Sequence, residues 1–394
     1  MTGDSVPIGR RVAYLRARRN LSQQAFADRL GRSKSWVDKV ERGVRSLERV
    51  STIREVAAVL RVDTAALLGH DVLPAGLADR SAGIARIRAA LSTYGTMLGQ
   101  PTACQHAPPE LLRRMVEHAW ITFQHARYPQ LITQLPALLT EAQRTDARDP
   151  NADLASVVEA YRLTAAMLVK LDEASLAWLA ADRAMSAGTG DPLLSACAAV
   201  QLGPILRVSA RAKSVMLTAA YRVVPADLDN ATPQELSLCG SLLVQAALAS
   251  ARAGHHRAVD DLLAEATEMA GRVGDGRDHH HTGFGPTAVD LARVSAAVEL
   301  GDGRQAVTRH EMVIEREGWP WLPLERRAAH LVDVAHAHLQ IGDVTGAGRA
   351  LMQVGVLAPA EIRLRPGVRR LLVAVARHPD APAAVIDFTT GIGL

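Results

Sequence analysis

The sequence predicts an all-α protein in two parts: a small basic head over residues 1–70 and a long array of stacked helical hairpins over residues 81–394, joined by a linker at 71–80. Three observations predict this. Hydrophobic residues make up 48% of the chain and aromatics only 4%, with Ala, Leu and Val in place of the β-branched and aromatic mixture that sheets favour. At 394 residues the chain exceeds one ordinary domain of about 150, a ceiling that a solenoid escapes by adding units instead of enlarging one core. The charge is divided as well. Residues 1–70 hold 14 Lys or Arg against 7 Asp or Glu, while the whole chain is only +4, so the remainder is net acidic. A basic head on an acidic body points to a polyanionic partner met by the head alone.

Several classes are disfavoured. Cys104, Cys197 and Cys239 form no Cys-x-x-Cys pair, so neither a disulfide framework nor a cysteine zinc site is implied, and a reducing cytoplasm is the expected location. The start, Met1-Thr2-Gly3-Asp4, lacks an apolar signal region. The longest uncharged apolar-rich stretch, Leu236 to Ala251, falls short of the roughly 20 residues of a membrane span. No phosphate loop, Gly-x-Ser-x-Gly elbow or His-Glu-x-x-His site is present, so the sequence supports no enzyme, no catalytic residue and no cofactor.

Within the head, a basic helix from Gly9 to Arg19 stops at Asn20. Ser22 caps a second helix, Gln23 to Leu30, which ends at Gly31, and Ser33 caps a third, Lys34 to Arg42, which ends at Gly43. Ala27, Leu30, Val37 and Val40 fall at the three- and four-residue spacings that face a shared core. That leaves Lys34, Ser35, Asp38 and Lys39 outward. A helix with such a face fits the major groove of DNA, about 12 Å wide.

The run Leu21-Ser22-Gln23-Gln24-Ala25-Phe26-Ala27-Asp28-Arg29-Leu30-Gly31, continued by Arg32-Ser33-Lys34-Ser35-Trp36-Val37-Asp38-Lys39-Val40-Glu41-Arg42-Gly43, closely resembles the Xre/Cro/CI family of helix-turn-helix regulators. The resemblance continues through a fourth helix, Val50 to Leu60, and a fifth, Thr64 to Leu68, giving a five-helix head near residues 8–68. It implies that Lys34, Ser35 and Lys39 read base edges, that Gln23 holds a phosphate, and that Ser33 and Trp36 belong to the same DNA-facing surface. Arg16 and Glu41 match the family's partly buried ion pair, with a surface pair as the alternative. Trp36 either touches sugar or a thymine methyl or packs between helices, and Lys39 either reads a base or holds a phosphate. The implied partner is double-stranded DNA with an inverted-repeat operator, bound by a homodimer.

Residues 69–80, with Pro74 and Gly76, break the pattern and read as the linker. Beyond them, Ala- and Leu-rich helices alternate with Gly, Asp or Pro punctuation. Leu300-Gly301-Asp302-Gly303-Arg304-Gln305-Ala306 parallels Ile341-Gly342-Asp343-Val344-Thr345-Gly346-Ala347, its glycine 41 residues earlier, and Gly254 stands 47 before Gly301. The segments resemble degenerate tetratricopeptide repeats, whose period is about 34 residues, with lengthened helices and loops. Earlier hairpins fall around Ala119 to Ala142 and Ala155 to Ala187. Such hairpins bury their apolar faces only by stacking, which creates a concave face suited to a ligand.

One cluster stands apart: Asp278-His279-His280-His281-Thr282-Gly283-Phe284-Gly285-Pro286. Consecutive histidines do not all face one metal, so no metal is expected. The segment is either a connector or the edge of a ligand site with His281 and Phe284 in contact. Head and array together resemble peptide-sensing quorum regulators, which implies a small molecule or short peptide bound by the repeats. The competing reading is a DNA-anchored scaffold whose repeats hold a partner protein.

Overall fold

The structure, a computed structural model, describes residues 8–19, 21–45, 50–60, 75–93, 109–144, 153–207 and 209–394. Among these residues the fold is all-α, with no strand. It divides into two compact units, residues 1–79 with 387–394, and residues 80–386.

In the first unit, α1 (Ile8–Arg18), α2 (Gln23–Arg29), α3 (Lys34–Glu41) and α4 (Val50–Leu60) enclose a core of Val12, Phe26, Ala27, Val37, Val40, Val56, Ala57 and Leu60, with Leu30 half-buried against it. The caps are those the sequence predicts: Ser22 accepts from the Ala25 amide, and Ser33 from the Trp36 amide, both at 3.1 Å. Gly31 takes φ +61°, the left-handed turn at which α2 stops. Gly9 lets α1 cross α3 closely, since a Cβ there would stand 2.0 Å from the Val40 carbonyl oxygen. The expected fifth helix, Thr64 to Leu68, lies outside the described residues.

The linker expectation needs correction. Helix α5 (Ala75–Leu91) begins inside the 71–80 segment, Gly76 notwithstanding. From Arg80 onward it packs on the array: Ile84, Ile87 and Leu91 are buried, and the Ala90 carbonyl accepts from Gln143 Nε2 at 2.8 Å. Tertiary burial outweighs the roughly 1 kcal/mol that one helical glycine costs.

The array stacks antiparallel hairpins: α6 (Pro109–Gln124) with α7 (Tyr128–Arg144), α8 (Leu154–Lys170) with α9 (Ala174–Ala187), α10 (Pro192–Leu206) with α11 (Ala212–Val223), α12 (Pro233–Arg252) with α13 (His256–Val273), α14 (Pro286–Glu299) with α15 (Gly303–Ile314), and α16 (Leu324–Gln340) with α17 (Val344–Leu357). α18 (Pro359–Leu364), α19 (Pro366–Ala376) and α20 (Ala383–Gly391) follow. Five of the six hairpin turns share one backbone. At Gly254, Gly301 and Gly342 a left-handed residue ends the first helix, and the next amide bonds back to the carbonyl five residues earlier, as from Asp302 to Ala297 at 2.9 Å. Ala126 and Asp172 adopt the same conformation without glycine, with the corresponding bonds Arg127 to Thr122 and Glu173 to Leu168, both 3.0 Å.

The first helices of successive hairpins pack side by side, α6 on α8, α8 on α10, and so on to α16, which returns to touch α6. The array therefore curls into a closed turn. Its inner helices are covered on nearly every side, which explains the apolar run Leu236 to Ala251: it is the buried middle of α12. Among the described residues, no helix is long and apolar enough to cross a membrane.

Candidate functional site

Two surfaces carry chemistry, one on each unit. In the head, Glu41 is a buried hub that accepts from Arg16 Nε at 2.6 Å, Arg16 Nη2 at 3.0 Å and Gln23 Nε2 at 2.8 Å. Arg16 Nη1 also donates to the Leu21 carbonyl at 2.7 Å, so one guanidinium ties α1 to the α2 approach and to α3. The Arg16–Glu41 pair is the partly buried one. Gln23 is oriented by Glu41, which leaves its second amide hydrogen for an outside acceptor.

On α3, Lys34, Ser35 and Lys39 are exposed, as an outward-reading face requires. Asp38 is occupied by Arg42 at 2.5 Å. Trp36 packs half-buried against the head core, and the Arg32 guanidinium lies 5.7 Å from its ring centroid. The packing role of Trp36 is thus present, with part of the ring still open. Ser33 spends its acceptor on the helix cap and keeps its hydroxyl hydrogen free.

In the array, the closed turn leaves an interior cavity of about 400 Å³, lined by the first helix of every hairpin. Its wall is apolar at Phe123, Val200, Val244, Leu248 and Leu291, and it is interrupted by Arg162, Lys170, Arg207, Arg326, Asp333 and Arg365. The sequence reading named none of these. Their only trace is a charge inside an otherwise apolar helix, as with Arg162 and Lys170 in α8.

The cations are anchored differently. Lys170 Nζ meets Glu325 at 2.6 Å and Glu361 at 2.7 Å, and Glu361 also accepts from Arg365 at 2.5 Å and from the Tyr128 hydroxyl. Burial pushes the Glu361 carboxyl up, but Lys170 and Arg365 overcome it and hold the group down at about 2. This cluster joins the first two hairpins to α18 and α19 and closes the turn. Burial raises the Asp333 carboxyl, which accepts from Ser295 Oγ at 2.5 Å, and lowers Arg207.

The histidine segment forms part of the cavity wall. His281 faces the cavity with its ring stacked on Trp120, centroids 4.7 Å apart and planes at 14°. Trp120 Nε1 donates to Glu159 at 2.9 Å, and the Arg162 guanidinium stands 5.1 Å from the Trp120 ring. Phe284 borders the same space but is anchored in the wall: it fills the groove left by Gly240 on α12, where a Cβ would meet the ring at 2.0 Å. The backbone at His280, His281 and Gly283 is left-handed. Arg162 holds it by donating to the His280 carbonyl at 2.6 Å, and Arg326 by donating to the carbonyls of Thr282 and Gly283. The three histidines thus have separate surroundings. His280 approaches Glu159 and Cys197, their ligand atoms within 4.8 Å of one another. Arg162 already neutralises that carboxylate at 2.8 Å, and burial pushes the Cys197 thiol up to about 12, so the trio is poorly suited to a cation.

Residues 7–68 match the family described as a helix-turn-helix domain. No curated protein matches the chain. Among solved structures it is similar to Bacillus thuringiensis PlcR, in a crystal structure with the peptide PapR7 and DNA. Identity is 14%, 66% of this chain and 93% of that chain are covered, and the TM-score is 0.32, too low to carry an argument. The family match and the α2–turn–α3 geometry coincide over the same residues: the N-terminal part of this protein is a helix-turn-helix domain.

Proposed function

We propose that this protein is a cytoplasmic transcription regulator that binds an inverted-repeat operator as a homodimer and is controlled by a small molecule or short peptide held in the array. Lys34, Ser35 and Lys39 read base edges, and Gln23, Ser33 and Trp36 contact the flanking backbone. The observation that carries ligand control is the interior cavity. Its size falls within the usual range of ligand sites, about 300–1,000 Å³, and every hairpin contributes its first helix to the wall. A ligand there lies among the first helices of all the hairpins, so its binding energy would bear on the curvature of the turn. His281 is the segment's contact to the ligand, and Phe284 shapes the wall behind it.

The test is selection of duplexes from a random pool by the full-length protein, followed by footprinting. Paired half-sites about one helical turn apart, roughly 34 Å, are expected. Lys34→Ala should relax preference at one position per half-site, whereas Gln23→Ala weakens all sequences alike. Compounds extracted from the freshly purified protein should change operator affinity when added back. Equal affinity for random duplex at physiological salt would overturn the specific-regulator reading. A stoichiometric protein partner on the array, with no small-molecule effect, would replace ligand control by scaffolding.

A further inference from the structure

Most of the cavity's unsatisfied atoms are arginine donors. Among the residues lining it, the buried side-chain atoms without a hydrogen-bond partner are Arg162 Nε and Nη2, Arg207 Nε and His330 Nδ1. All are nitrogens, and the three on arginine are obligate donors. Arg162 carries the largest deficit. Its side chain is completely buried, and only Nη1 is used, by Glu159 and the His280 carbonyl. Arg207, at the end of the neighbouring α10, reaches Gln245 only at 3.3 Å. The other cations of the wall are satisfied, Lys170 and Arg365 by carboxylates and Arg326 by carbonyls.

We propose that the ligand is a small organic acid whose carboxylate pairs with Arg162 and whose aromatic or apolar body lies against His281, itself stacked on Trp120, and the cavity's aliphatic wall. The proposal deepens the reading of this cavity as the ligand site and rests on it. A guanidinium presents its N–H groups as a planar fork that matches two carboxylate oxygens. Arg162 is held in place by Glu159 and by the Trp120 ring beneath it, so the fork is fixed in position before a ligand enters. An amine, whose polar group offers only N–H donors, would bring donors to a wall that already has donors unmet.

The experiment compares 1-naphthylacetate with its neutral isostere 1-naphthylacetamide, alongside phenylacetate and 4-phenylbutyrate, on the full-length protein without DNA. Binding is followed by thermal melting and tryptophan fluorescence. At least one of the acids should raise the melting temperature saturably, and 1-naphthylacetate should bind at least tenfold tighter than its amide. Arg162→Gln should remove that preference, and Arg162→Lys should keep part of it. Equal binding of acid and amide, unchanged acid binding in a folded Arg162→Gln protein, or no binding by any acid of the series overturns the proposal. Should Arg162→Gln not fold, the wild-type ratio of acid to amide decides alone. Acid binding that leaves operator affinity unchanged would keep the anion site and remove ligand control, so the two readings fail separately.

Discussion

The head and the array handle buried polarity in opposite ways. Around Glu41 in the head, the carboxylate receives two arginine bonds and one from Gln23, and among the described residues no head side-chain donor or acceptor is buried without a partner. Its remaining hydrogen-bonding capacity, on Lys34, Ser35 and Lys39, points outward. The array instead leaves arginine donors unmet inside its own cavity. A satisfied network rigidifies a reading surface, whereas unmet buried donors are stabilised only when something enters. Under the proposed function, the difference separates a unit that touches its partner from one that encloses it.

The sharpest way to break that comparison is Glu361→Ala. The substitution leaves Lys170 with only Glu325 and Arg365 without its carboxylate, and uncompensated buried charge costs about 3–5 kcal/mol. Urea unfolding should report that loss with the head's helices still capped. A loss under about 1 kcal/mol would mean the turn is closed by apolar packing alone.

Acid should act on the array through His330. Burial, and then the charge of His310 whose Nδ1 lies 2.9 Å from His330 Nε2, lowers His330 to about 3. The folded protein therefore binds this proton less readily than the unfolded chain. The stabilisation is fully present above the ordinary histidine value near 6.5 and is lost as pH falls from there towards 3. The slope from this group reaches about 1.4 kcal/mol per pH unit. Denaturation midpoints of wild type and His330→Gln between pH 7.5 and 4.5 should converge towards acid; parallel curves would assign the acid sensitivity elsewhere.

Smaller effects belong to the head. Ser33→Ala removes the cap of α3 and should cost about 1 kcal/mol, with Ser33→Gly milder by more than half. Calorimetry on the full-length protein measures both. Arg42→Ala breaks only the exposed pair with Asp38 and should shift stability by about 0.3–0.5 kcal/mol. If Arg42→Ala proves as costly as Ser33→Ala, the surface of α3 is more coupled to the core than its exposure indicates.

What the sequence by itself determined is whatever short-range physics writes into neighbouring residues. Ser22 and Ser33 before their helices, Gly31 after α2, the buried spacing of Ala27, Val37 and Val40, and the turns at Gly254, Gly301 and Gly342 were all legible. Each depends on contacts within a few positions and on residue types with one strong preference. Where the same turn is made by Ala126 and Asp172 the repeat was faint, because those residues do not advertise a left-handed backbone. Gly76 read as a breaker although α5 runs through it, since Ile84, Ile87 and Leu91 find burial against distant residues. The cavity was decided by tertiary structure alone. Trp120, Arg162, Arg207, Asp333 and Arg365 are spread over more than half the chain, and no local pattern distinguishes a charge that will border a central cavity from one that will face water. The return of α16 to α6 makes that distinction, by bringing those side chains round one shared space.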